Sequence, residues 1–288
     1  MGNIILPNHR QAIAPTTLPD RRDFLKTTAT VAGLATAGAF TQLLPVTPAQ
    51  AQSPKPNVAS TPPKFDLSDL AGKNYISTPR DQGGCNACTA FAVIGAIEAA
   101  IAIKQNTPDP QLHLSEAQLF DCGGSGGCET NAWYPEGALK YCQTQGITTE
   151  ANYGSAFGQC KTNPNWSVQK ISSYTRLPDA ATMKQWISGT GAYTQPSPAI
   201  AVFVYYQSLH DWNPPTKNQI YRYNDKSDKE VRIGGHVVCI VGYDDNPGSW
   251  ICKNSWGPLW GGAGKGFFNM SYGDCHIDDF LMYGVVVS

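Results

Sequence analysis

The stretch that most constrains this chain is Gln82-Gly83-Gly84-Cys85-Asn86-Ala87-Cys88-Thr89-Ala90-Phe91. Two glycines and a pair of cysteines lead without a break into an apolar, alanine-rich run over residues 91–103 that holds one carboxylate, Glu98. Apolar residues at helical spacing predict a buried helix with Cys88 in its first turn. A thiol at that position meets open backbone N–H groups and the positive end of the helix dipole, and both favour the nucleophilic thiolate. Gln82 lies upstream on a glycine-softened loop, from which a side-chain amide reaches an oxyanion forming next to that sulfur.

A thiolate nucleophile needs a base, and the base needs an orienting group. Of the five histidines, His236 opens the most apolar strand-like run, residues 236–243. Asn254 stands in Trp250-Ile251-Cys252-Lys253-Asn254-Ser255-Trp256-Gly257, beyond a turn-rich segment at 244–249. The two runs predict a hairpin with His236 directly opposite Asn254 on one face, and Trp256 shielding the pair from water. In that register Cys252 opposes Val238 while Cys239 points to the other face, so these two thiols do not bridge. His113, His210 and His276 lack such surroundings and read as surface or structural residues.

These blocks resemble the papain-like cysteine peptidases. The likeness rests on the segment around Cys88, on His236 and on Asn254-Ser255-Trp256-Gly257. It takes in Leu114-Ser115-Glu116-Ala117-Gln118-Leu119-Phe120-Asp121-Cys122 and Tyr134-Pro135, in the family's block order over about residues 62–285. It implies an α+β class and a papain-like two-domain fold, with a helical left domain, an antiparallel β-barrel-like right domain and the active site in the cleft between them. It implies Cys88 as nucleophile, His236 as base and acid, Asn254 as orienter, and Gln82 with the Cys88 N–H as oxyanion donors. By motif position Tyr134, Pro135, Val202 and Gly235 fall on the main specificity pocket. Gly235 leaves its floor uncharged, so an apolar substrate side chain is expected there. The implied enzyme hydrolyses polypeptide substrates as a monomer and requires no cofactor and no metal. Family correspondence also pairs Cys85 with Cys128 and Cys122 with Cys160, and leaves Cys142, Cys239, Cys252 and Cys275 unassigned. Two departures stand out: Thr89 occupies a position where the family usually has Trp, and Glu129 to Trp133 replace a Gly-Gly pair before Tyr134.

Nine cysteines, an odd number, fit an exported chain that keeps one thiol for chemistry. Export is predicted separately by Asp20-Arg21-Arg22-Asp23-Phe24-Leu25-Lys26, which matches the twin-arginine pattern. A mildly apolar run follows, too polar to make a good membrane span, and then the small-x-small site Ala49-Gln50-Ala51. Residues 1–51 therefore read as a twin-arginine signal peptide and 52–63 as a Pro-, Ser- and Ala-rich linker. Residues 64–288 read as the peptidase domain, its left half at about 64–165 and its right half at about 166–288. This division predicts a prokaryotic, periplasmic or secreted protein with no membrane anchor after signal removal, and leaves no room for a long helical pro-domain.

A net charge of −1 without a basic patch argues against nucleic-acid binding, and 41% hydrophobic against 15% charged residues makes the chain globular. Ser115 with Gln118 predicts a capping box, residues 135–145 a helix stopped by Gly146, and residues 179–188 a further helix. Strands are expected at 199–206, 236–243, 250–256 and 266–272. A zinc site built from Cys85, Cys88, Cys122 and Cys128 is the rival use of the thiols, but the second spacing is wide and the reading leaves His236, Asn254 and Gln82 idle. Two other readings keep the fold: a secreted binding module without turnover, and an acyl transferase using the same thioester chemistry. The full set of Cys88, His236, Asn254 and Gln82 favours hydrolysis over the binding module.

Overall fold

A computed structural model describes residues 60–129, 133–223 and 231–288. The predicted signal peptide, most of the linker and positions 130–132 before Tyr134 lie outside the described residues. The helices are α1 (Cys88–Gln105), α2 (Glu116–Cys122), α3 (Pro135–Thr144), α4 (Glu150–Tyr153), α5 (Ala180–Ser188) and α6 (Gln207–His210). The strands are β1 (Lys64–Asp66), β2 (Ile171–Leu177), β3 (Ala199–Tyr206), β4 (Ile220–Tyr221), β5 (Arg232–Asp244), β6 (Ser249–Lys253), β7 (Phe267–Ser271) and β8 (Leu281–Val287). They form one sheet in the order β2-β8-β3-β5-β6-β7-β4, with β1 added against β5. Every pairing is antiparallel except β4 with β7. The α+β expectation holds, with most helices early and most strands late. Strand β1 is the exception: it pairs Lys64 with Asp244 and Asp66 with Gly242, so the first described residues belong to the late sheet.

Helix α1 is the central element. Its alanines favour helix and keep its surface narrow, so it packs against β5 and β8 on one side and α2 and α3 on the other. Enclosed on all sides, it has no polar stripe; buried residues run from Thr89 to Ala102 around its whole circumference. Gly95 marks the closest approach, where an added Cβ would stand 3.5 Å from the Lys253 Nζ and 3.8 Å from the Cys239 Cβ. The helix stops at Asn106, left-handed at φ 51°, whose N–H bonds back to the carbonyls of Ala102 and Ile103.

The capping box at α2 forms only in half. Ser115 accepts the Gln118 N–H at 3.0 Å, but the Gln118 side chain takes the Thr148 N–H at 2.7 Å and the Ser115 N–H goes to the Thr148 carbonyl at 3.0 Å. A tertiary partner has replaced the local one. Helix α3 begins on Pro135 and ends at Thr144, before Gly146 at φ +82°. Helix α5 is capped by Asp179, which accepts the Thr182 N–H at 2.7 Å.

The β5–β6 hairpin corrects the predicted register by two residues. Cys239 pairs with Lys253 and Ile240 with Cys252, in place of Val238 with Cys252, and a bulge follows between Ile240 and Gly242. The strand ends at Lys253, short of the expected 256, so Asn254 approaches His236 from beyond the ladder rather than straight across it. The face assignment survives the shift. Ile240 lies two positions from Val238, so Cys252 keeps the face of His236 while Cys239 points to the other side, and neither thiol is bridged.

Candidate active site

Cys88 is the first residue of α1 and is half-buried. Ala87 at the N-cap offers no side-chain acceptor, so no side chain closes off the N–H groups of the first turn. The approach to the helix is braced covalently. Cys85 is bonded to Cys128 and Cys122 to Cys160, the two pairs that family correspondence implied. Three of the four thiols proposed for the rival zinc site are thus committed to disulfides. Cys142 and Cys239 are buried thiols pushed up to about 12 by desolvation, which keeps them protonated and inert.

His236 and Asn254 are both 3% exposed and meet at 2.7 Å, imidazole Nε2 to amide Oδ1. The same oxygen accepts the Ser255 N–H at 2.8 Å, and the Asn254 N–H is held by the Gly266 carbonyl at 2.9 Å. The amide is therefore fixed with its oxygen toward the ring, and Nε2 must donate. That tautomer leaves Nδ1 as the ring nitrogen available to Cys88. Trp256 stacks on the imidazole with centroids 4.6 Å apart and planes 27° apart, which is the shielding the sequence predicted. Phe203, the cross-strand partner of His236, meets the ring edge-on, and Tyr205 closes a third side.

The burial that protects these groups also opposes either charge on its own. Desolvation pushes His236 down to about 4, against the Asn254 hydrogen bond. It pushes the Cys88 thiol up, against hydrogen bonds from the Val237 backbone and from Thr89. Val237 directly follows His236, so this contact sets the thiol beside the imidazole's own strand.

Gln82 is buried, and both ends of its amide are engaged. Nε2 donates to the Cys85 carbonyl at 2.7 Å, and Oε1 accepts the Ser255 hydroxyl at 2.6 Å. One Nε2–H is left over among the described residues. Its backbone is tied to the same block: the Gln82 N–H bonds to the Ser255 carbonyl at 2.8 Å, Asp81 bridges to Trp256, and the Gly257 N–H reaches the Arg80 carbonyl at 3.1 Å. Ser255 is the orienting residue that sequence reasoning missed. Its only signal was its place between Asn254 and Trp256, just past the end of the strand.

A buried charge cluster lies behind the site, and it too was not foreseen. The Arg80 guanidinium contacts Glu98 at 2.6 Å, Glu116 at 2.8 Å and Glu150 at 2.9 Å. Glu98, at 0% exposure, also accepts the Ser77 hydroxyl at 2.7 Å and the Leu114 N–H at 2.9 Å, and Lys253 donates to Ser77 at 2.7 Å. Two cations face three carboxylates. Burial raises Glu116 to about 8, so this is the carboxyl that holds a proton and balances the set.

The four pocket candidates come from two places in the fold, the β3–β5 pair and the start of α3. Val202 is buried opposite Val237, and Gly235 is exposed opposite Val204, which places both on one face of the β3–β5 pair. Pro135 opens α3 with half-buried Tyr134 as its cap. The hydroxyl of Thr89 donates to the Trp133 carbonyl, which ties Trp133 to the first turn of α1. The ring of Trp133 meets Phe120 edge-on and presses on Gly123, where a Cβ would come within 2.8 Å of it. The altered segment thus brings an aromatic ring, that of Trp133, against Phe120 and Gly123, while its carbonyl is held by Thr89 at the start of α1.

A family model for papain family cysteine protease matches residues 61–285. The chain is 32% identical over 218 residues to Peptidase 1 of Dermatophagoides farinae, covering 74% of this chain and 62% of that protein. It is 30% identical over 218 residues to a cathepsin L-like proteinase of Fasciola hepatica, covering 72% and 60%. It spans about three fifths of the length of these curated relatives. Among solved structures it is similar to the proform of the ragweed pollen cysteine protease Amb a 11, at 25% identity and a TM-score of 0.62 over 81% of this chain and 69% of that one. It is equally similar to digestive procathepsin L 3 of Tenebrio molitor, at 25% identity and a TM-score of 0.62 over 82% and 72%. The match over residues 61–285 and the arrangement of Cys88, His236 and Asn254 converge on one conclusion: the chain belongs to the papain family of cysteine proteases.

Proposed function

We propose that this chain is an exported cysteine peptidase that hydrolyses peptide bonds through an acyl-thioester on Cys88. The observation that carries the reading is the 2.7 Å bond between His236 Nε2 and Asn254 Oδ1, which leaves Nδ1 to serve a thiol at the uncapped start of α1. Burial opposes a lone thiolate and a lone imidazolium. Passing the thiol proton to Nδ1 creates both charges at once, and each then stabilises the other.

The thiolate attacks the carbonyl carbon of the scissile bond. The oxyanion is held by the Cys88 N–H and by the Gln82 Nε2–H not used by Cys85. The C–N bond breaks as the Nδ1 proton passes to the departing amine. Water then adds to the thioester, giving its proton to Nδ1, and the C–S bond breaks to restore the thiolate. Tyr134, Pro135, Val202 and Gly235 belong to this proposal as pocket residues for an apolar side chain. So do the division into signal peptide, linker and two-part domain, the twin-arginine route and a monomeric state.

The test is the alkylation rate of Cys88 by iodoacetamide against pH in the folded protein, with the modified site assigned by mass spectrometry. Fast reaction persisting well below the free-thiol pKa of about 8.5 is expected. A rate that rises only near that value would overturn the reading.

A further inference from the structure

Three aromatic rings surround His236, and only two are explained by keeping water away. Trp256 stacks on the imidazole and Phe203 meets it edge-on from the opposite strand position. Tyr205 is the third, with its ring centroid 5.5 Å from that of His236 and 5.7 Å from that of Trp256. It sits near the end of β3 opposite Gly234, and without a side chain there its ring lies over that strand position. Shielding would need only an apolar ring. Tyr205 carries a hydroxyl, is only partly buried, and among the described residues that hydroxyl has no hydrogen-bond partner.

The chemistry places one part of the substrate on this flank. Under the peptidase reading the imidazole hands its proton to the departing amine, so the amine must come to the ring edge. The residue attached to that amine then passes along the side of the imidazole where Tyr205 and Trp256 stand. The Tyr205 hydroxyl is a donor on that flank with no partner among the described residues. Burial, followed by the nearby Cys88 charge, raises this phenol to about 12, so it remains a donor throughout the neutral range.

We propose that Tyr205 is a specificity residue for the leaving half of the peptide: its hydroxyl donates a hydrogen bond to the backbone carbonyl of the residue that follows the scissile bond. This inference rests on the peptidase reading. It makes the enzyme favour substrates that continue past the cleaved bond, and disfavour those that end in a simple amide.

The test compares an internally quenched peptide library spanning the bond with the same acyl sequences ending in aminomethylcoumarin, which supplies a leaving amine but no following peptide carbonyl. The ratio of kcat/KM on the two sets is measured for the native protein and for Tyr205→Phe, with Tm as a check on folding. Loss of one hydrogen bond is expected to lower the ratio by about 3–10-fold, with the effect confined to the spanning peptides. An unchanged ratio, whether because both activities fall together or because neither moves, would overturn the inference and leave the peptidase reading standing. Hydrolysis of neither set by the native protein would overturn both.

Discussion

Two buried polar regions lie side by side in this molecule and are built on opposite rules. In the cluster around Arg80, each of the three carboxylates meets a cation, and Glu98 takes a hydroxyl and a backbone N–H as well. In the neighbouring site, Asn254 Nδ2 has no partner among the described residues, Gln82 keeps one N–H open, and α1 begins without a side-chain cap. Satisfied groups hold the segment before Cys88, the central helix and the last turn of β6 in place. The open groups next to them are the ones able to respond to a developing charge. The contrast separates what builds the site from what works in it.

The sharpest way to break that division is Cys88→Ser. It should lower peptide hydrolysis by about 10⁴-fold or more while leaving Tm almost unchanged, read by turnover and thermal unfolding together. Arg80→Met should do the reverse. Buried Glu98 would lose its cation, along with the Glu116 and Glu150 contacts to the same guanidinium, and chemical denaturation should show a loss of about 3–5 kcal/mol. If this variant kept full stability but lost activity, the cluster would belong to the chemistry after all. Gln82→Ala removes the side-chain donor proposed for the oxyanion, and a fall in kcat of about 10²–10³ with little change in KM is expected from steady-state kinetics.

The smallest effect at neutral pH sharpens the comparison from the other side. Glu116 is raised from 4.5 to about 8, so between those values the folded protein holds a proton that the unfolded chain releases. Stability is then greatest below about 4.5 and falls as pH rises toward 8. Glu116→Gln mimics the protonated acid and should cost less than about 1 kcal/mol at neutral pH, while removing this contribution to the slope. A Tm–pH profile as steep as that of the native protein would count against Glu116 as the proton holder.

The residues to which the proposal gives the chemistry could be picked out in the sequence because each combined a chemical type with a distinctive neighbourhood: Cys88 at a helix start, His236 in an apolar strand run, Asn254 two residues before a tryptophan. Their supports were not. Ser255 meets Gln82 across 173 residues, and Arg80 meets Glu150 across 70, distances over which local pattern carries no information. The hairpin register was missed because the strands run into the stretch read as the turn: Asp244 already pairs with Ser249, and the bulge between Ile240 and Gly242 takes back only one of the three residues of offset. The start of β5 was missed because Gly234-Gly235 hides a strand that pairs with Val204 and Tyr205. The half-formed capping box at Ser115 failed for a related reason, since Thr148 outcompetes the local bond.

The strap joining Arg80–Gln82 to Ser255–Gly257 bears on how the protein is made. The nucleophile's loop takes its final shape only by bonding to residues that follow it by more than half the chain. Nucleation of α1 is local and fast, whereas this closure must wait for a long loop to be drawn in and for the late strands to find their order. Reactivity is therefore among the last properties the molecule acquires as it folds. A chain still emerging from the ribosome carries Cys88 but not the loop geometry on which the proposed activity depends.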